Sequence, residues 1–310
     1  MAKYYLGVDG GGTNCRLRLA DEDMTVLGEA RGGASNLQLR GGDLAWRSIN
    51  DGAARAFAAA GLPDSAMAET WACFCMAGGR SVADREAFEK RPWKFAGVKV
   101  YDDIDAAHAG ALGGDDGAAI IAGTGSAAMA IVDGVRYQCG GWGFHVGDQM
   151  SGAILGRELV RYAVEATDGL VAGSPLTEAV VDALGGSLDA VMDWSFPKVE
   201  GLPPPREGEE VPFTIGRSPR DYGRFAPMVF EYYAKGDPVA RQLMDLQMGY
   251  VDNYVRWFKA RGARKLAPTG GISEGMYDLL VARYGDFIVR PLGDNLSGAL
   301  VLCRRNFASR

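Results

Sequence analysis

A chain of 310 residues with 39 acidic and 33 basic side chains, net charge −6, has the length for two domains and lacks the dense Lys/Arg block that nucleic acid or an anionic bilayer would require. Hydrophobic residues make up 47% and charged residues 23%, the mix of a soluble globular protein, and no apolar run approaches the ~20 residues that span a bilayer. The five cysteines, at 15, 73, 75, 139 and 303, are odd in number and never in C-x-x-C spacing, and there are two histidines; neither a disulfide framework nor a zinc site is expected, and the cytoplasm fits best.

The N-terminus enters a strand within a few residues, so no cleavable signal sequence is expected. Tyr4 to Leu19 reads as strand, tight turn, strand: a short apolar run, a break at Asp9-Gly10-Gly11-Gly12-Thr13, then the period-two alternation of Cys15-Arg16-Leu17-Arg18-Leu19. Three consecutive glycines leave backbone N–H groups uncovered, which suits an anion. Asp9 beside an anion makes sense when a cation lies between them. Taken singly, the turn also fits an ordinary hairpin tip. Thr25 to Arg31 continues as a third strand, and a loop with Ala34-Ser35-Asn36 follows. Leu44 to Ala60 is alanine-rich and helical, stopped by Gly61 and Pro63. Glu69 to Met76 reads as a buried strand, Asp84 to Lys90 as a short helix, and Val98 to Tyr101 as a strand that delivers Asp102, Asp103 and Asp105 at its end. A small-residue helix runs through Ala106 to Leu112.

The opening pattern then recurs. Ala118 to Ile121 is an apolar strand, broken at Ala122-Gly123-Thr124-Gly125-Ser126 and resumed over Ala127 to Val132. Two such turns suggest duplicated domains, each offering one phosphate-facing turn. Neither is a P-loop, since no Lys-Ser/Thr follows, and neither is a dinucleotide fingerprint, since a strand follows the glycines. Tyr137 to Val146 is rich in Gly and aromatics and leads to Asp148, read as the N-cap of a long helix. Helices follow at about 176–184 and 188–194. Phe196 to Pro219, with its Pro and Glu runs, reads as disordered or loop-like. Further helices cover 225–235 and, capped by Asp237, 238–261. Lys265 to Ala267 leads to Thr269-Gly270-Gly271-Ile272-Ser273, Phe287 to Val289 is the last strand, and Asn295 to Asn306 the last helix.

Several residues carry possible chemistry. Asp103, at the carboxyl end of a strand in an open α/β sheet, can take a proton from an attacking hydroxyl; the alternative is a loop acid or helix cap. Trp142 between glycines, with Asp148, can stack on a sugar and bond its hydroxyls, or be a core Trp and a cap. Asn36 reads as a sugar contact or a turn residue. Gly270-Gly271 let a flat base lie against backbone. His108 and His145 are assigned no role.

In combination and in this order, LGVDGGGTNCR, IAGTGS, GWGFHVGD and TGGIS resemble the sugar kinase, heat-shock ATPase and actin superfamily. More closely, the chain is similar to the N-acetylglucosamine and glucosamine kinases of the BadF/BadG-type ATPase family, over nearly its whole length. The resemblance implies an α/β chain of two ribonuclease-H-like (actin-like ATPase) domains, 1–115 and 116–310, with ATP in the cleft between them and the last helix, about 295–307, packing back on the N-terminal domain. It implies phosphate contacts at Gly10, Gly11, Gly12, Thr13, Gly123, Thr124, Gly125 and Ser126, adenosine contacts at Gly270 and Gly271, and Mg²⁺ near Asp9, through water. Asp103 matches the catalytic base and Asn36, Asp103, Trp142 and Asp148 the sugar-contacting positions. The activity implied is transfer of the ATP γ-phosphoryl group to the 6-hydroxyl of an amino sugar, N-acetylglucosamine in the first reading and glucosamine in the alternative. Two rivals from other classes are an activator ATPase with a cysteine-ligated iron–sulfur cluster at a dimer interface and a non-catalytic nucleotide-dependent regulator. The expected partners are an amino sugar and ATP, with no nucleic acid and no membrane; a homodimer is compatible with this reading.

Overall fold

The computed structural model describes residues 4–196 and 216–307, so most of the loop-like stretch expected at 196–219 lies outside the described residues. In chain order the elements are β1 (Tyr4–Gly10), β2 (Cys15–Asp21), β3 (Val26–Gly32), α1 (Asp43–Ala59), β4 (Thr70–Met76), α2 (Val82–Glu89), β5 (Gly97–Asp102), α3 (Asp103–Leu112), β6 (Gly117–Ala122), β7 (Ser126–Val132) and β8 (Val135–Gly140). There follow α4 (Gly152–Thr167), α5 (Pro175–Ala183), α6 (Leu188–Ser195), α7 (Pro219–Gly223), α8 (Ala226–Ala234), α9 (Pro238–Lys259), β9 (Leu266–Thr269), α10 (Gly271–Gly275), α11 (Tyr277–Tyr284) and α12 (Asn295–Phe307).

Two sheets form, in the orders β3-β2-β1-β4-β5 and β8-β7-β6-β9. The alternation of β2 puts Cys15, Leu17 and Leu19 into the core, while Arg16 and Arg18 on the other face are only half-buried. β4 is buried over nearly its whole length because it lies between β1 and β5, both parallel to it. Beneath the first sheet, α1 packs Ile49, Ala53, Ala56 and Phe57 against Leu6, Val8, Leu17 and Phe74. The strand expected over 287–289 is reduced to one bridge, Leu266 to Ile288, after a single tight turn over Gly285–Phe287.

Helices α3 and α12 link the two sheets. Ile104 and Ala107 of α3 meet Ala127 and Met129 of β7, while Ala106 packs with Cys75 of β4 and Ala299 of α12. On the first sheet α12 places Leu300, Cys303 and Phe307 against Tyr5, Cys73 and the half-buried Trp71, whose ring stacks on Phe307 at 4.2 Å. The two helices approach backbone to backbone: a Cβ at Gly298 would fall on the Ala106 carbonyl, and one at Gly110 on the Asp294 carbonyl. Only glycine fits there.

By contact density the chain forms two compact units. Unit 1 holds residues 1–121, 127–141 and 258–310; unit 2 holds 122–126 and 142–257. Small side chains on α3 and α12 weld the second sheet to the first, so these units have boundaries other than the motif-based halves 1–115 and 116–310. Unit 2 is helical. Its buried Asp237 accepts from Val239 N (2.9 Å) and Ala240 N (3.0 Å) at the start of α9, and from Ser174 Oγ (2.9 Å) and Leu176 N (3.2 Å) at the start of α5. One carboxylate thus satisfies the free N–H groups of two helices.

Candidate active site

In unit 1 the parallel register of β1, β4 and β5 ends three strands together, at Gly10, Met76 and Asp102. The turn after β1 closes with Gly11 N donating to Asn14 O at 2.9 Å, and Gly10 is held close, since a Cβ there would press on Met76 Sδ. The 34–38 loop is drawn over these ends. Ser35 N donates to Gly11 O (2.9 Å), Leu37 N to Ala77 O (3.0 Å), and Gln38 Nε2 to Gly78 O (3.0 Å). Within it, Asn36 Oδ1 accepts from Gln38 N at 2.8 Å, an Asx turn that aims the remaining amide group.

Asp103 does not end the strand, as the sequence suggests; it opens α3. Asp102 is the N-cap, its Oδ1 accepting from Asp103 N at 3.1 Å, and Asp105 completes a capping box by accepting from Asp102 N at 3.1 Å. The capping box therefore belongs to Asp102 and Asp105; the Asp103 carboxyl stands outside it, accepting from the Ile104 N–H and sharing a hydrogen bond with the Asp102 side chain. Burial first, then the negative charges of Asp102 and Asp9, push the half-buried Asp103 carboxyl well above the usual carboxylate range. A more basic carboxylate is a better proton acceptor.

Asp9 is gripped by Arg16, whose Nη2 and Nε donate to Oδ2 at 2.8 and 3.2 Å, and Arg16 Nη1 continues to Asp294 Oδ2 at 3.0 Å. Among the described residues no cluster of three or more His, Cys, Asp or Glu is arranged to hold a metal. One carboxylate suits Mg²⁺, which keeps several waters and takes its other ligands from substrate phosphates. Gly270, at φ +90°, precedes the five-residue α10 just past β9, and Gly271 faces open space. His108 is buried, with Nε2 3.1 Å from Gly117 O, a structural role.

Unit 2 carries the second turn. Gly123 N donates to Gly125 O (3.0 Å), and Gly123 O and Thr124 O accept from Gly152 N and Ala153 N at the start of α4. Asp148 is not the cap of α4; Ser151 is, with Oγ accepting from Ile154 N at 3.1 Å. Asp148, buried and at φ +60°, accepts instead from the backbone N–H groups of Ser126 and Gly143, tying the turn to the Gly-Trp-Gly segment. Burial raises its carboxyl, and those two hydrogen bonds oppose the rise. Trp142 is 62% exposed, so it is not a core residue. Thr13 and Thr124 are exposed, and a Cβ at Gly12 or Gly123 would meet nothing within 4 Å. The Ser126 hydroxyl is buried and has no hydrogen-bond partner among the described residues. Open backbone and spare hydroxyls fit phosphate oxygens.

The profile of the BadF/BadG/BcrA/BcrD ATPase family matches residues 6–286. The chain belongs to this family. It is 31% identical to the glucosamine kinase of Vibrio cholerae over 298 residues, 96% of this chain and 95% of that one. The crystal structure of a candidate N-acetylglucosamine kinase from Chromobacterium violaceum superposes with a TM-score of 0.84 at 31% identity, covering 97% of this chain and 99% of that one. A glucokinase of the ROK family from Streptomyces griseus shares the fold, with a TM-score of 0.57 at 19% identity, covering 97% of this chain and 99% of that one. The fold is the two-domain α/β fold of the actin-like ATPases. As a member of this ATPase family, the protein uses ATP.

Sequence reasoning missed the polar partners. Arg16 alternates with core residues of β2, and its ion pair with Asp9 follows only from the register Asp9↔Arg16. Arg136 and Gln138 on β8 belong to no motif in the sequence. Their only sequence signal is the i, i+2 spacing that places both on one face.

Proposed function

We propose that the protein is an ATP-dependent amino-sugar kinase, transferring the γ-phosphoryl group to the 6-hydroxyl of N-acetylglucosamine, with glucosamine the alternative acceptor. The observation that carries this reading is Asp103 at the first position of α3, beside the strand end that bears Asp9 and the 34–38 loop that bears Asn36, with the capping box formed by Asp102 and Asp105. Asp103 takes the proton of the sugar hydroxyl. Phosphoryl transfer needs little else than held phosphates and offset charge. Gly10, Gly11, Gly12 and Thr13, and separately Gly123, Thr124, Gly125 and Ser126, are the phosphate contacts, and Gly270 and Gly271 lie against the adenosine. Mg²⁺, held near Asp9 through water, offsets the phosphate charge. Asn36, Asp148 and the exposed Trp142 contact the sugar. Trp142 can cover an acetyl methyl, which is why N-acetylglucosamine is placed first.

The iron–sulfur reading loses its ligands: Cys73 and Cys75 are wholly buried, and burial raises both thiols well above their ordinary values. The amino-sugar reading fits a cytoplasmic protein, checked by fractionation, and is compatible with a homodimer, checked by sedimentation equilibrium.

The deciding experiment is a coupled ADP-release assay with N-acetylglucosamine and glucosamine side by side, with and without chelator. Asp103→Asn is expected to lower turnover by about 10²–10⁴-fold while calorimetry shows ATP still binding. Near-parental turnover in that variant sinks the assignment of Asp103, and failure on both sugars in the parent sinks the kinase reading.

A further inference from the structure

The N-terminus of α3 is held from outside by a polar ladder that helix capping alone does not require. Asp102 Oδ1 already caps Asp103 N–H; its second oxygen accepts from Gln138 Nε2 at 2.6 Å. Asp105, the other half of the capping box, accepts from Arg136 Nε at 2.6 Å and Nη2 at 3.1 Å, a bidentate pair. Arg136 Nη2 also donates to Gln138 Oε1 at 2.8 Å, which fixes the Gln138 amide so that its NH₂ faces Asp102. Arg136 and Gln138 thus stand two residues apart on β8 and bracket Asp103 through its neighbours on either side.

The geometry points to Arg136 and Gln138 as positioning residues for Asp103, acting through Asp105 and Asp102 to fix the carboxylate that receives the substrate proton. This rests on the kinase reading for its catalytic consequence, though not for the coupling itself. An N-cap and a capping box leave a helix free to rock about its first turn. Two further anchors on a sheet remove that freedom, and a misplacement of about 1 Å costs some 10²-fold in rate. The charged groups facing the pair are Asp105, Arg136 and Arg85 around Asp102, and Asp102 and Asp9 around Asp103.

The test uses the full-length protein and the variants Gln138→Leu, Gln138→Glu and Arg136→Lys. Gln138→Leu is expected to lower kcat about 10–100-fold with KM for ATP unchanged and the melting temperature near the parent's. Gln138→Glu sets two carboxylates at hydrogen-bond distance, which must share one proton. At acid pH, where the pair keeps that proton, Gln138→Glu retains near-parental rates. As the pair loses it, a new alkaline limb appears in the pH–rate profile. Arg136→Lys keeps the charge and loses the fork, and recovers part of the rate. Independently of turnover, the ¹³C carboxyl signal of Asp103, identified through Asp103→Asn, should report the added ionisation in Gln138→Glu. Parental kcat and an unmoved Asp103 signal in both Gln138 variants overturn the proposal. So does a pH-independent loss that tracks a lowered melting temperature, the mark of a purely structural role. Should the parent phosphorylate neither sugar, the kinase reading fails by itself, and the Asp103 signal still decides the coupling.

Discussion

Replacing Asp237 by alanine removes four acceptor contacts at once and leaves three N–H groups, those of Leu176, Val239 and Ala240, with no partner from that side chain. All three residues are buried, so water does not replace the lost oxygen without opening the packing. Loss of an N-cap costs about 1 kcal/mol per helix, and here two helices share the cap. That figure covers one N–H at each helix, and the third buried donor left unsatisfied adds about 1 kcal/mol or more. The expected total is about 3–4 kcal/mol. Asp237→Asn keeps one acceptor oxygen but turns an NH₂ toward another donor, and should cost about 1–2 kcal/mol. Urea unfolding followed by far-UV circular dichroism reads the difference. With a slope of about 2 kcal/mol per molar, Asp237→Ala should lower the midpoint by about 1.5–2 M in the transition that includes unit 2. A shift below about 0.5 M would refute the shared cap, since one exposed side chain accounts for so small a change.

Two further outcomes follow from the same geometry. The carboxyls of Asp102, Asp103 and Asp148 are all raised, by burial first. A carboxyl with a raised folded pKa binds more protons folded than unfolded, so stability falls as pH rises through the range between its unfolded and folded values. Asp103→Asn should therefore melt higher than the parent at pH 8, with the gap closing as pH falls toward the unfolded carboxylate range; a lower melting point at pH 8 contradicts this sign. Gly298→Val would force α12 off α3 and should cost about 3 kcal/mol or more, against near neutrality for the control Arg304→Ala, exposed on the same helix, if packing is the cause, both read by thermal melting.

Much of the chain was legible from one sequence. The two Gly/Thr turns, the alternating strand Cys15–Asp21, the alanine-rich helix over 43–59 and the helix opened by Asp237-Pro238 are local patterns, written in side-chain period and in residues that stop or start the backbone. The glycine runs also marked the turns proposed to hold phosphate. Tertiary structure alone decided which acid does what. From sequence Asp102, Asp103 and Asp105 are equivalent; the fold commits Asp102 and Asp105 to capping and to Gln138 and Arg136, and leaves Asp103. Asp148 looked like a cap and proved to be a brace between Ser126 and Gly143, with Ser151 taking the helix. The pairing of Arg16 with Asp9, and the glycine contact between α3 and α12, join residues far apart in sequence or across a register that no local pattern records. Periodicity reports the face a residue occupies; the partner it meets there depends on how distant segments pack.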